Sequence, residues 1–164
     1  MPIKIDEIDK KIISELSGNA EMPHAELADK CGVTRQTIAS RIKRLENEDI
    51  IRKYKAVVDY EKVGLQSFII LFLKLDTSDS AKAADFINSI KNDPNVIMDV
   101  SITGEWDVML LLAFGNVKEY ESYTSKLRVL MGPMLKDSKS HVVLNFYKTS
   151  DDYLPFSHSL MTRS

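Results

Sequence analysis

Residues 25–51 read AELADKCGVTRQTIASRIKRLENEDII, and this stretch decides the fold of the first part of the chain. Leu27 and Ala28 supply the apolar face of a short helix, Cys31-Gly32-Val33 turns the chain, and Thr34 stands where its hydroxyl caps a second helix beginning near Arg35. At ~100° per residue, Ile38, Ile42 and Leu45 fall in one narrow stripe. Gln36, Ser40 and Lys43 lie opposite them, with Thr37 and Arg44 further round. One face is core and the other is free, which is the helix-turn-helix pattern. In that pattern the N-terminal half of the second helix enters the major groove of DNA.

A charged helix face is also what a merely solvated helix shows. The local balance of charge argues for a polyanion. Residues 1–29 carry three Lys and Arg against seven Asp and Glu, whereas residues 30–55 carry eight against three. The whole chain has a net charge of −2, so any contact with nucleic acid has to be local. In this reading Arg35, Gln36, Thr37 and Ser40 approach base edges, while Arg41, Lys43, Arg44 and Lys53 neutralise phosphates.

Upstream, Ile5, Ile8, Ile12, Ile13 and Leu16 recur at helical spacing, so a helix over residues 6–16 is expected to complete a three-helix core. Gly18-Asn19 ends it and Pro23 marks the approach to the next helix. Downstream, residues 50–58 turn β-like and basic, which predicts a two-stranded wing followed by a linker that closes at Gly64.

Beyond the linker the elements come in a fixed order. Strands are expected at 67–75, 96–102, 107–114 and 140–147. Helices fall between them at 80–91, with Ala83, Ala84, Ile87 and Ile90 on one side, and from Val117 to Gly132-Pro133, marked by Tyr120, Thr124, Leu127 and Met131. The order is βαββαβ, a ferredoxin-like split unit. The fold class is therefore α+β, with an N-terminal winged helix-turn-helix over 1–60, a linker at 61–66, the ferredoxin-like domain over 67–148 and an unassigned tail at 149–164.

Two strands, FIILFL at 68–73 and VMLLLAF at 108–114, are apolar at consecutive positions. Both faces of the sheet should then be covered. Two helices cover only one, so the other face calls for a second copy in an isologous homodimer, or for the helix-turn-helix unit of the same chain.

Composition sets outer limits. Apolar runs of this length fall far short of the ~18 residues a membrane helix needs, and no secretory leader is evident, which points to a cytoplasmic protein with no membrane partner. One cysteine, Cys31, excludes an internal disulfide. His24, His141 and His158 are scattered, with no metal-ligand spacing and no nucleophile–base set, so neither catalytic residues, metal nor cofactor is expected.

The opening IDEIDKKIISEL (5–16), the segment ELADKCGVTRQTIASRIKRLE (26–46) with its closing Ile50-Ile51, and GEWDVMLLL (104–112) together resemble the Lrp/AsnC, or feast/famine, transcriptional regulators. Asp49 departs from the family, which usually has glycine there. Aspartate tolerates the left-handed conformation, so the helix is still expected to end at that point. The resemblance implies a sequence-specific regulator of double-stranded DNA that forms dimers and higher homo-oligomers. It also implies a small effector, commonly an amino acid, held at Thr103, Gly104, Glu105, Trp106 and Asp107. A glycine turn there would offer amides to a carboxylate, and Asp107 would receive an ammonium. The alternative is that Gly104 and Asp107 only make the turn, with Trp106 as an interface anchor. Siroheme decarboxylases are similar to this family in fold, which leaves an enzyme as one competing function and an effector-independent DNA-architectural protein as another.

Overall fold

The computed structural model describes residues 4–147. They form two compact units, one ending at Val57 and the other spanning Val58–Phe146.

The first unit holds α1 (Glu7–Gly18), α2 (His24–Cys31) and α3 (Arg35–Asn47). Asp6 starts α1 by accepting from the Asp9 amide at 2.9 Å, while the Asp9 carboxylate accepts from the Asp6 amide at 3.1 Å, a reciprocal cap. Ile12, Leu16, Met22, Leu27, Ala28, Ile38, Ile42 and Leu45 make one buried core, with Ile8, Ile13, Ile50 and Ile51 packed at its edge. Gly32, at φ 68°, ends α2 in the left-handed conformation and lets α3 start three residues later. Asp49 takes φ 54°, as its chemistry allows. The amides of Ile50 and Ile51 then fold back onto the Leu45 carbonyl at 2.9 and 3.0 Å.

The two-stranded wing is not formed by this chain: no β-strand occurs between α3 and β1 (Ser67–Leu75). The reason is that only one β-like run, through Val58, is available there. The stretch that would have paired with it is folded into turns, with Val63 N donating to Asp59 O at 3.3 Å and Leu65 N to Tyr60 O at 2.9 Å.

The second unit continues with α4 (Ser80–Lys91), β2 (Val96–Ser101), β3 (Val108–Phe114), α5 (Val117–Met131) and β4 (Leu135–Val142). The sheet order is β2-β3-β1-β4, and every neighbouring pair is antiparallel. This is the expected βαββαβ fold. Ile69, Leu71 and Leu73 of β1 and Leu110, Leu112 and Phe114 of β3 pack with Phe86 and Ile90 of α4 and Leu127 and Met131 of α5. The alternate residues Ile70, Phe72, Met109 and Leu111 are half-buried and, by strand alternation, face away from the helices.

Two expectations need correction. The buried side of α4 carries Phe86 and Ile90, whereas Ile87 is 45% exposed. The last strand runs over 135–142 and not 140–147, because Gly132-Pro133-Met134 makes a 3-10 turn that delivers Leu135 directly opposite Leu75. β4 is an edge strand with lysines at 136 and 139, a polar pattern that suits an edge and disguises a strand.

Candidate functional site

The core stripe of α3 turns the opposite side of the helix outward. Arg35, Gln36, Ser40 and Lys43 are exposed, and Thr37 is half-buried. Thr34 caps the helix by accepting from the Thr37 amide at 3.1 Å, and the two threonine hydroxyls lie 2.8 Å apart. Ser40 donates to the Thr37 carbonyl at 3.0 Å. Gln36 and Lys43 sit about one helical turn to either side of Ser40, so the three form a polar row along the exposed face.

Arg41 and Arg44 stand apart from that row. They lie on the flank of α3 that meets α1, where Arg41 Nη1 donates to Asp6 at 2.7 Å and to Asp9 Oδ1 at 2.8 Å. Arg44 Nη2 donates to the other Asp9 oxygen. Asp9 is fully buried, so its charge is balanced by these two guanidinium groups. The Arg41 hydrogen bond also holds the Asp6 carboxyl down to about 2, from an ordinary 3.8. Arg41 and Arg44, expected at phosphates, are thus both ion-paired to the carboxylates at the start of α1. The signal was present in the sequence, since Asp9 falls among Ile5, Ile8, Ile12 and Ile13, where a charge needs a partner. Lys53 is exposed in the strandless segment after α3.

In the second unit, Thr103, Gly104 and Glu105 are exposed in the turn between β2 and β3, with Gly104 at φ 114°. Asp107 closes that turn. Its amide donates to the Leu73 carbonyl at 3.0 Å, its carbonyl accepts from Ile102 N at 3.0 Å, and its carboxylate accepts from the Leu75 amide at 2.7 Å. Trp106 is half-buried, its ring 6.2 Å from that of Phe72, which also meets His141 at 6.0 Å. The five residues are adjacent, but the Asp107 carboxylate already has an amide partner and Trp106 belongs to the helix-free face of the sheet. Among the described residues no cluster of His, Cys, Asp and Glu could hold a metal ion, and no helix is long and apolar enough to cross a membrane.

Residues 5–52 match the winged helix-turn-helix DNA-binding family, and residues 69–153 match the Lrp/AsnC ligand binding domain. An uncharacterised HTH-type transcriptional regulator of Pyrococcus horikoshii is 31% identical over 133 residues, covering 80% of this chain and 89% of the relative. A transcriptional regulator from Neisseria meningitidis, crystallised as a complex with L-Met, superposes with a TM-score of 0.85 at 25% identity, over 94% of this chain and 99% of that one. A feast or famine regulatory protein from M. tuberculosis, complexed with L-methionine, does so with a TM-score of 0.81 at 24% identity, over 93% and 100%.

Proposed function

Because this chain belongs to the Lrp/AsnC family of DNA-binding transcriptional regulators, we propose how its residues divide that work. Gln36 and Ser40, with Arg35 and Thr37 at the start of α3, read base edges, while Lys43 and Lys53 contact phosphates. Arg41 and Arg44 act as positioning residues, holding α3 against α1 so that the row is presented rigidly. The observation that carries this reading is the polar row Gln36, Ser40 and Lys43 opposite the buried Ile38, Ile42 and Leu45.

A homodimer is the second part of the proposal. The helix-free face of the sheet carries Ile70, Phe72, Val100, Met109 and Leu111, and Met98 on it is 43% exposed. An apolar face of this kind suits its own copy, which brings two DNA-reading units to one operator and leaves room for higher association. The third part is a small effector acting on the second unit. The ligand-domain match and the L-Met complex of the Neisseria regulator support an amino acid or a close chemical relative.

Selection of bound fragments from sheared genomic DNA tests the reading. Wild-type protein is expected to enrich a discrete set sharing one motif, and Gln36→Ala to lose preference at one base position of it. Even enrichment across the genome by both proteins would refute sequence reading by α3 and favour an architectural role.

A further inference from the structure

Two cations just after α3 depart from the ion-pairing of the first unit. Lys30, Arg41 and Arg44 are each held by carboxylates. Arg52 and Lys53 are exposed and make no ion pair among the described residues. The chain that carries them is nonetheless tied on both sides. Before them, the amides of Ile50 and Ile51 donate to the Leu45 carbonyl, and both isoleucines pack at the edge of the three-helix core. After them, the Tyr54 hydroxyl donates to Glu46 Oε1 at 2.8 Å. Residues 52 and 53 are thus bracketed by two attachments to the last turn of α3, without a hairpin to hold them.

Glu46 is an odd residue to find there. It lies in the last turn of α3, where the helix dipole disfavours a negative charge, and one turn beyond Lys43, beside the polar row. At ~100° per residue it falls on the flank opposite Arg41 and Arg44, so the tie to Tyr54 and the clamp to α1 grip different sides of the helix. Its partner is a phenol and not a cation, which leaves Arg52 and Lys53 unengaged. Burial and the Glu46 carboxylate push the Tyr54 phenol up to about 12, so it remains a donor throughout the neutral range. Tyr54 is 49% exposed and belongs to neither buried core, so the tie holds the segment and not the fold.

We propose that Tyr54 is a positioning residue for DNA binding: through Glu46 it sets the Arg52–Lys53 segment against the end of α3, where both cations meet phosphates beside the bases read by Gln36 and Ser40. The inference rests on the reading of α3 as the helix that enters DNA. It adds Arg52 to the phosphate contacts and gives Lys53 a fixed place among them.

Salt titrations of operator binding by the full chain, on one selected fragment and beside melting curves, test it. Tyr54→Phe keeps the ring and loses only the hydroxyl. It is expected to shift the melting temperature by a few degrees at most, and to lower the slope of log affinity against log salt by about one to two units, one for each cation. Glu46→Ala removes a negative charge from the side that meets DNA. A carboxylate that only repelled phosphate would then give tighter binding with an undiminished slope, whereas the tie predicts the same lowered slope as Tyr54→Phe. Glu46→Gln still offers an oxygen to the Tyr54 hydroxyl and is expected to regain the slope that Glu46→Ala loses. With Arg52 and Lys53 both replaced by alanine, Tyr54→Phe is expected to cost nothing further, since no cation is left to position. A further loss in that background, or a wild-type slope in both Tyr54→Phe and Glu46→Ala, overturns the proposal. Lys43→Ala and Gln36→Ala in the same titrations separate the two readings: an effect of either leaves α3 as the reading helix, and silence of both removes that assignment as well.

Discussion

Asp9 is the residue on which the helix-turn-helix unit turns. A carboxylate with no exposed surface needs its oxygens paired, and here both are bound by arginines from α3, the helix proposed to read DNA. Asp9→Ala removes the partner of both and half of the α1 cap. Breaking a fully buried pair costs about 3–5 kcal/mol, but Arg41 and Arg44 reach solvent, so a loss of about 2–3 kcal/mol in urea unfolding is expected. A change under 0.5 kcal/mol would contradict the clamp. Asp6 gives the same clamp a pH signature. Its folded value, about 2, lies below the ordinary 3.8, so its contribution is complete above pH ~4 and is lost as pH falls towards 2. The urea midpoint of wild-type protein should therefore fall more steeply between pH 4 and 2.5 than that of Asp6→Asn. Asp107 offers a contrast at the same scale. As the partner of the Leu75 amide, its replacement by alanine is expected to cost about 1–2 kcal/mol with or without ligand, read from melting curves in both conditions.

Among the elements, the strands show what apolar patterning conveys and what it conceals. The consecutive apolar run VMLLLAF announced a sheet covered on both faces, but alternation alone could not assign a side to each leucine. The structure places Leu110 in the core at 0% exposure and Leu111, half-buried, on the helix-free face. Leu110→Lys should therefore unfold the second unit, whereas Leu111→Lys should fold and sediment as a monomer at micromolar concentration. A Leu111→Lys protein with wild-type sedimentation would remove the paired-sheet dimer. Helices α1 to α5 and strands β1 to β3 were legible because each has a cap, a glycine or proline stop, or an apolar period of its own. β4 was not, because LKDSKS at a sheet edge has neither apolar alternation nor a stop, and its start is set by the 3-10 turn before it. The missing wing has the same cause in reverse: β-like residues after α3 lack a second run to pair with. On α4 the aliphatic period pointed to Ile87, and the larger Phe86 took the core position instead.

For the molecule as a whole, local readings carried the helix-turn-helix unit, while partnerships between distant residues escaped them. Arg41 and Arg44 looked like phosphate ligands on their own helix, and only their meeting with Asp6 and Asp9, more than thirty residues away, supports the proposal that they frame that helix. The division between frame and reading row is most directly tested by the salt dependence of operator binding, measured for wild type, Lys43→Ala and Gln36→Ala on one selected fragment. Lys43→Ala is expected to weaken all sequences alike and to lower the slope of log affinity against log salt by about one unit. Gln36→Ala is expected to keep the slope and lose ~1–3 kcal/mol on the preferred site alone. Operator binding and slope unchanged in both variants would contradict the assignment of α3 as the helix that reads DNA.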